Sequence, residues 1–273
     1  PGEVWRATRT PEGAATIRLR QRSSTTVDAR AYGDGADWAL AHAPDLLGAG
    51  DDPTEFRPQR NAGLRDLQRR HPGIRIPTTH AIAEALVPIV LEQKVQTAEA
   101  QASYRILLYT HSDPAPGPAN GPRLRLPPDP RHLAQLPYWH FHHAGVEKRR
   151  ADTVRRVASH ARQLDAGTAN PRAIPGIGAW TIGELGMRAN GDADAVPIGD
   201  YHLPHLVAFA LAGEPRSTDE RMLELLEPYR PHRARVIRLL TLSGIRPPRY
   251  GPRMPRSALS RVASARPATA AAG

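Results

Sequence analysis

The stretch Ile174-Pro175-Gly176-Ile177-Gly178-Ala179-Trp180-Thr181 decides how the chain is read, together with Asp200, nineteen residues after Thr181 in Val196-Pro197-Ile198-Gly199-Asp200-Tyr201. Two glycines one residue apart, at the mouth of a helical run reaching Arg188, let the backbone turn tightly and aim N–H groups outward. Helix N-termini favour anions through those groups and the macrodipole, so the turn suits phosphate without regard to base sequence. The plainer alternative is an ordinary corner between two helices. A dinucleotide fold is disfavoured, because Thr181 stands where the third glycine of G-x-G-x-x-G belongs and no strand precedes it. Asp200 sits just before an apolar helical run and reads as an N-cap, with Pro204 in the first helical turn, where no intrahelical acceptor is lost. A carboxylate in that place also suits a site that stabilises developing positive charge or activates water.

Outward from this stretch, residues 4–8, 15–22 and 25–32 are β-like and separated by turn signals. The alternation Thr16-Ile17-Arg18-Leu19-Arg20 puts Ile17 and Leu19 on one face of a sheet that is wet on the other. A helix is expected over 63–70. From Thr79 the apolar residues recur at three- and four-residue steps as far as Leu107, across the polar patch Glu92-Gln93-Lys94, with Thr78 or Thr79 as cap and Pro88 as a kink. Residues 112–130 hold seven Pro and two Gly, which reads as a loop. Further helices are expected over 129–136, 148–164, 179–188, 201–211, 219–226 and 233–242.

The 273 residues include no cysteine, which excludes Cys zinc sites, iron–sulfur clusters, thiol nucleophiles and disulfides. No apolar run approaches the roughly 18 residues of a membrane span, so a soluble, cytoplasmic protein with no membrane partner is expected. The net charge is +10, and the section from Tyr229 onward carries ten Arg and no Asp or Glu. Such a localised cationic section points to a polyanion, most simply nucleic acid, against the blander reading of a solvated tail. Three imidazoles in Trp139-His140-Phe141-His142-His143 lack a partner at convincing ligand spacing, so surface exposure or DNA contact is expected there in place of zinc.

Taken together, the two-glycine turn and the Gly/Pro-rich loop ending in Asp200 resemble the signature of helix-hairpin-helix base-excision DNA glycosylases, specifically the 3-methyladenine DNA glycosylase II (AlkA-type) branch. Asp51-Asp52-Pro53-Thr54-Glu55-Phe56, the run from Glu84 to Gln93, and Tyr229-Arg230-Pro231-His232-Arg233 are also similar to segments of that family, so the resemblance extends over about residues 1–245. It implies an α+β chain: a small N-terminal α+β domain with an antiparallel sheet (1–72), a mainly α-helical helix-hairpin-helix glycosylase domain (73–246) and an Arg/Pro/Ala-rich tail (247–273).

The resemblance further implies a monomeric enzyme that binds double-stranded DNA containing damaged bases, flips the lesion into a pocket and hydrolyses its N-glycosidic bond. Asp200 matches the catalytic Asp, which stabilises oxocarbenium character and helps water attack. Trp180 and Tyr201 match positions lining the base pocket, and Glu184 and His232 fall where that branch usually carries aromatics. Gly176, Ile177, Gly178 and Thr181 match the DNA-binding hairpin. Gln93 and Lys94 align with the region that wedges into the gap left by a flipped nucleotide. No cofactor is expected, apart from a structural Na+ or K+ held by the main-chain carbonyls of Arg172, Ile174 and Ile177. Bifunctional relatives place Lys where this chain has Trp180, so a monofunctional enzyme without lyase activity is expected, acting on alkylated purines of the 3-methyladenine or 7-methylguanine type. Two alternatives stay open: another lesion, such as a deaminated base or bulky alkyl adduct, or a non-catalytic DNA-structure binding protein.

Overall fold

Alternating side chains build the first element. In the computed structural model, which describes residues 2–58 and 61–248, strands β1 (Glu3–Thr10), β2 (Gly13–Gln21) and β3 (Val27–Tyr32) form an antiparallel sheet in the order β1-β2-β3. Ile17 and Leu19 are buried as the alternation predicts. On the opposite face Trp5 stacks on Tyr32 with ring centroids 6.0 Å apart, under the guanidinium of Arg18.

Thirteen α-helices follow among the described residues. They are α1 (Ala36–Ala41), α2 (Ala43–Leu46), α3 (Ala62–Arg70), α4 (Ile82–Glu92), α5 (Thr97–His111), α6 (Pro130–Gln135) and α7 (Tyr138–His143), then α8 (Lys148–Ser159), α9 (Ala161–Asp165), α10 (Ala179–Ala189), α11 (Leu203–Ala212), α12 (Asp219–Leu226) and α13 (Arg233–Leu242). The helical run expected from Thr79 is two helices. Lys94 takes a left-handed φ of 56°, and a capping box of Gln96 and Glu99 restarts the chain as α5. The run expected over 148–164 likewise breaks at His160. Neither Thr78 nor Thr79 caps α4. The carboxylate of Asp165, a distant residue, accepts the Ala83 N–H at 2.9 Å instead. No helix among the described residues is long and apolar enough to cross a membrane.

The chain divides into two compact units. One contains the sheet, α1 and the chain from Ala81 to Ile177. Its helical core centres on α4, which packs on α5, α8 and α9 through Leu86, Val90 and Leu91. Arg6 and Thr8 of β1 reach the Glu84 carboxylate at 2.8 and 2.6 Å. Burial raises the pKa of Glu84, and Arg6 opposes that shift.

The other unit joins His42–His80 to the described chain from Gly178 to Pro248. The expected boundary at residue 72 coincides with neither division, and the physical reason is the core of this second unit. Phe56, Leu64, Leu67 and Ile76 bury their side chains in one cluster with Val207, Met222, Leu226, Ile237 and Leu240. The expected tail lies outside the described residues from position 249 on. Within the cluster Arg235 of α13 meets Asp51 at 2.6 Å, both side chains at most 2% exposed, and donates to the Ile74 carbonyl at 3.2 Å. The second Asp51 oxygen accepts the Ile76 N–H at 2.9 Å. Breaking such a pair from one side strands a buried charge. Asp51→Ala is therefore expected to cost about 3–5 kcal/mol of unfolding free energy, and Asp51→Asn, which keeps an acceptor for Ile76, less. Denaturant unfolding measures both, and an Asp51→Ala curve overlying the wild type would remove the pair from the account of stability.

Candidate active site

The two-glycine turn is built by side chains that close on it. A short 3-10 turn, Pro171–Ala173, leads in, and the Ile174 carbonyl accepts the Ile177 N–H at 3.0 Å. Gly176 has φ +100°, and a Cβ there would meet Thr153 Oγ1 of α8 at 2.1 Å, so backbone conformation and space both demand glycine. Gln93 donates its side-chain amide to the Gly176 carbonyl at 2.9 Å. Gly178 is the N-cap of α10 and has no side chain to occupy the first-turn N–H groups. Gly176 and Gly178 are exposed, whereas the side chains of Ile177 and Thr181 are buried. The part those two residues can play towards an external ligand is therefore a main-chain one. The division between the two units passes between Ile177 and Gly178.

Asp200 is seated by glycines on α10. A Cβ at Gly183 would lie 2.4 Å from the Val196 carbonyl oxygen and 2.5 Å from the Pro197 backbone, and one at Gly186 would lie 2.6 Å from the Ala195 side chain. The loop before Asp200 thus rests directly on the helix. Gly199, at φ +91°, donates its N–H to the Asp219 carboxylate at 2.9 Å. Trp180, in the first turn of α10, donates Nε1–H to Asp200 Oδ2 at 2.9 Å, while Oδ1 accepts the His202 and Leu203 N–H groups at 2.7 and 2.8 Å. The helix begins at Leu203 with His202 at the N-cap position, so Asp200 is not the N-cap that was expected but reaches the first N–H groups from two residues before it. An ionised carboxylate offers about four lone-pair sites, so the three donors leave one, on Oδ2.

Comparisons with known proteins bear on this arrangement. No family model matches the chain. Over 150 residues it is 35% identical to a protein of two Mycobacterium tuberculosis strains described as "probable bifunctional transcriptional activator/DNA repair enzyme AlkA", a match covering 51% of this chain and 29% of that protein. The chain thus spans under a third of the length of these relatives. A 3-methyladenine DNA glycosylase from Archaeoglobus fulgidus superposes with a TM-score of 0.72 at 15% identity, covering 89% of each chain. An 8-oxoguanine glycosylase/lyase from Clostridium acetobutylicum, solved with double-stranded DNA, gives 0.63 at 12% identity over 86% of this chain and 85% of that one. The 3-methyladenine DNA glycosylase of Schizosaccharomyces pombe, bound to abasic DNA, gives 0.54 at 16% identity over 70% and 96%. The chain has the fold that these DNA glycosylases share.

Within this fold the other expected site residues fare unequally. Tyr201 is 73% exposed, its ring edge-on to His202. Glu184 is buried and lies 2.6 Å from Arg188 Nε, so its charge is met within α10. His232 is buried edge-on against Phe56, and burial, then Arg235, hold its pKa below the ordinary histidine value, leaving a neutral ring packed in the core. Lys94 stands exposed in the turn between α4 and α5. The histidines of α7 diverge: His140 packs edge-on to His111, which is 3.2 Å from His132, while His142 and His143 are exposed. Among the described residues no three His, Asp or Glu side chains are grouped to hold a metal.

Thr153, Gly183, Gly186 and Asp219 escaped the sequence reading. Only the paired glycines inside an otherwise apolar helix offered a signal, because isolated glycines there need a packing reason. Gly183→Ala is expected to lower stability by about 1–3 kcal/mol, as overpacking does, and to shift the Gly199 amide resonance as its bond to Asp219 is disturbed. Thermal unfolding and amide NMR check both effects. An unchanged Gly199 resonance would mean that the loop does not depend on this close approach.

Proposed function

We propose that the chain is a monofunctional DNA glycosylase of base-excision repair that acts as a monomer on alkylated purines in duplex DNA. One observation carries the reading: the Asp200 carboxylate is held by three donors and keeps a lone pair, on the loop that follows the two-glycine turn. Cleavage of an N-glycosidic bond leaves positive charge on the sugar, and a prepositioned carboxylate stabilises that charge without reorganising. Asp200 would supply it and orient the attacking water. Reaching the bond inside a duplex requires the nucleotide to be extruded, with Lys94 entering the vacated space and the exposed ring of Tyr201 and the indole of Trp180 facing the base. An alkylated purine such as 3-methyladenine carries its own positive charge, which favours its departure and its stacking on electron-rich rings. The names of the relatives, two of them 3-methyladenine glycosylases, support this class.

Position 180 holds an indole engaged with Asp200 where a lyase would need an amine. The chain has only two lysines, Lys94 and Lys148, and Lys148 is bound to Asp152 at 2.7 Å. A structural Na+ or K+ would be held by the carbonyls of Arg172, Ile174 and Ile177. The Ile174 oxygen already accepts the Ile177 N–H but retains a second lone pair for such an ion, which would tighten the turn and take no part in bond cleavage.

Glu184 and His232 favour a second reading on the same scaffold. With Glu184 paired to Arg188 and His232 packed on Phe56, neither is an exposed aromatic at the place where the branch usually carries one, which favours a different lesion as substrate.

Release of free base from methylated duplex under single-turnover conditions tests the proposal. Asp200→Asn is expected to slow release by about two to three orders of magnitude, the size of losing a prepositioned electrostatic group, while Lys148→Ala keeps the wild-type rate and borohydride traps no covalent adduct. Full-rate release by Asp200→Asn would sink the catalytic assignment, and a trapped adduct would sink the monofunctional one. Release of a deaminated or bulky base in place of a methylated purine would favour the second reading. Duplex binding without release across a lesion panel would make the chain a DNA-structure binding protein.

A further inference from the structure

Helix α8 carries five cations in twelve residues, and they are not equivalent. Arg150 is buried, with Nη1 on the Leu91 carbonyl at 2.7 Å. Lys148 and Arg155 share Asp152, at 2.7 and 3.9 Å. Arg149 and Arg156 are exposed and have no carboxylate within ion-pair distance among the described residues. Seven residues apart, they lie on one line of the helix about 10 Å from each other.

Between them on the same side is Thr153, the residue whose Oγ1 fills the space a Cβ would need at Gly176. Arg156 Nη1 also approaches the Pro175 carbonyl at 3.4 Å. The Arg156 guanidinium thus lies at the Pro175-Gly176 turn, Arg149 stands two helical turns earlier on the same line of α8 with Thr153 between them, and the one acidic side chain between them in sequence, Asp152, is engaged with other cations.

We infer that Arg149 and Arg156 form a phosphate track beside the hairpin, each neutralising one backbone phosphate of the same DNA duplex. The inference rests on the reading of the chain as a duplex-binding glycosylase and adds a surface that the two-glycine turn does not supply. Phosphate contacts carry no base information but set register and affinity. The track therefore governs how tightly any duplex is held and not which base is released.

The test is the salt dependence of binding to an undamaged duplex, followed by fluorescence anisotropy from 50 to 200 mM KCl. Each phosphate contact contributes about 0.9 to the slope of log affinity against log salt, so Arg149→Ala/Arg156→Ala is expected to flatten the slope by about 1.8. Base release at saturating DNA should stay within about twofold of wild type. Arg131→Ala on α6, whose side chain is 91% exposed, is the control for bulk charge. An unchanged slope in the double variant overturns the track, as does an equal flattening by Arg131→Ala. Tighter binding to duplex RNA with the same loss would assign the surface to another partner and overturn it too. A wild-type protein with no salt-dependent DNA binding would instead defeat the glycosylase reading itself, so the two failures are distinguishable.

Discussion

No atom larger than hydrogen fits on the face of α10 at Gly183, because the Val196 carbonyl and the Pro197 backbone already occupy the place where a Cβ would stand. Everything at the candidate site follows from this contact. It brings a loop that has no regular secondary structure onto a rigid helix, and the same helix presents Trp180 one turn earlier. Asp200 then meets the indole N–H from one side and the first N–H groups of α11 from the other. A side chain on a loop is held with the precision of one on a helix, because each donor belongs to a helical turn.

The geometry also sorts the roles of neighbouring polar groups. Asp219 takes the Gly199 N–H and so acts on the backbone just before Asp200, without competing for its lone pairs. Glu184, on the same helix as Trp180, is matched by Arg188, so its charge is met locally, while Asp200 is held by backbone and indole donors and keeps a lone pair on Oδ2. In the same unit the Asp51–Arg235 pair joins the segment before α3 to α13, where Phe56 covers the ring of His232. Two segments that resemble the family separately in sequence are thus one packed feature in space.

What was legible in the sequence was local. The Ile17 and Leu19 alternation, the need for glycine at Gly176 and the placing of Asp200 as an acceptor for the first N–H groups of α11 each depend on a few consecutive residues, and the structure shows all three. What stayed hidden depends on partners far along the chain. The break at Lys94 was masked because apolar spacing continues across it, and its left-handed backbone leaves no mark in side-chain type. The carboxylate at the start of α4 comes from Asp165, eighty-two residues from Ala83, whose N–H it accepts, so no local pattern announces it. Helix α7 is written in aromatic and histidine residues of modest helix propensity and forms because Phe141 is buried against the core of its unit. His232 could be matched to a pocket position by order alone, but its surroundings are set by Phe56 and Arg235, which only folding brings near.

Charge shows the same limit from the other side. The section from Tyr229 onward contains ten Arg without an acid, and counted in sequence it is the most cationic part of the chain. Of the five arginines in it that are described, three are committed: Arg230 and Arg233 to Asp194, and Arg235 to Asp51. Those carboxylates lie 36 to 184 residues away, invisible to a count along the chain. Helix α8 is the converse case, with a less conspicuous composition but two arginines left to solvent on the helix against which the two-glycine turn packs. The potential a polyanion meets is set by which cations keep their charge at the surface after folding. By that measure the described cationic surface beside the two-glycine turn belongs to α8, whereas in α13 Arg235 is engaged by a buried partner and Arg233 by Asp194.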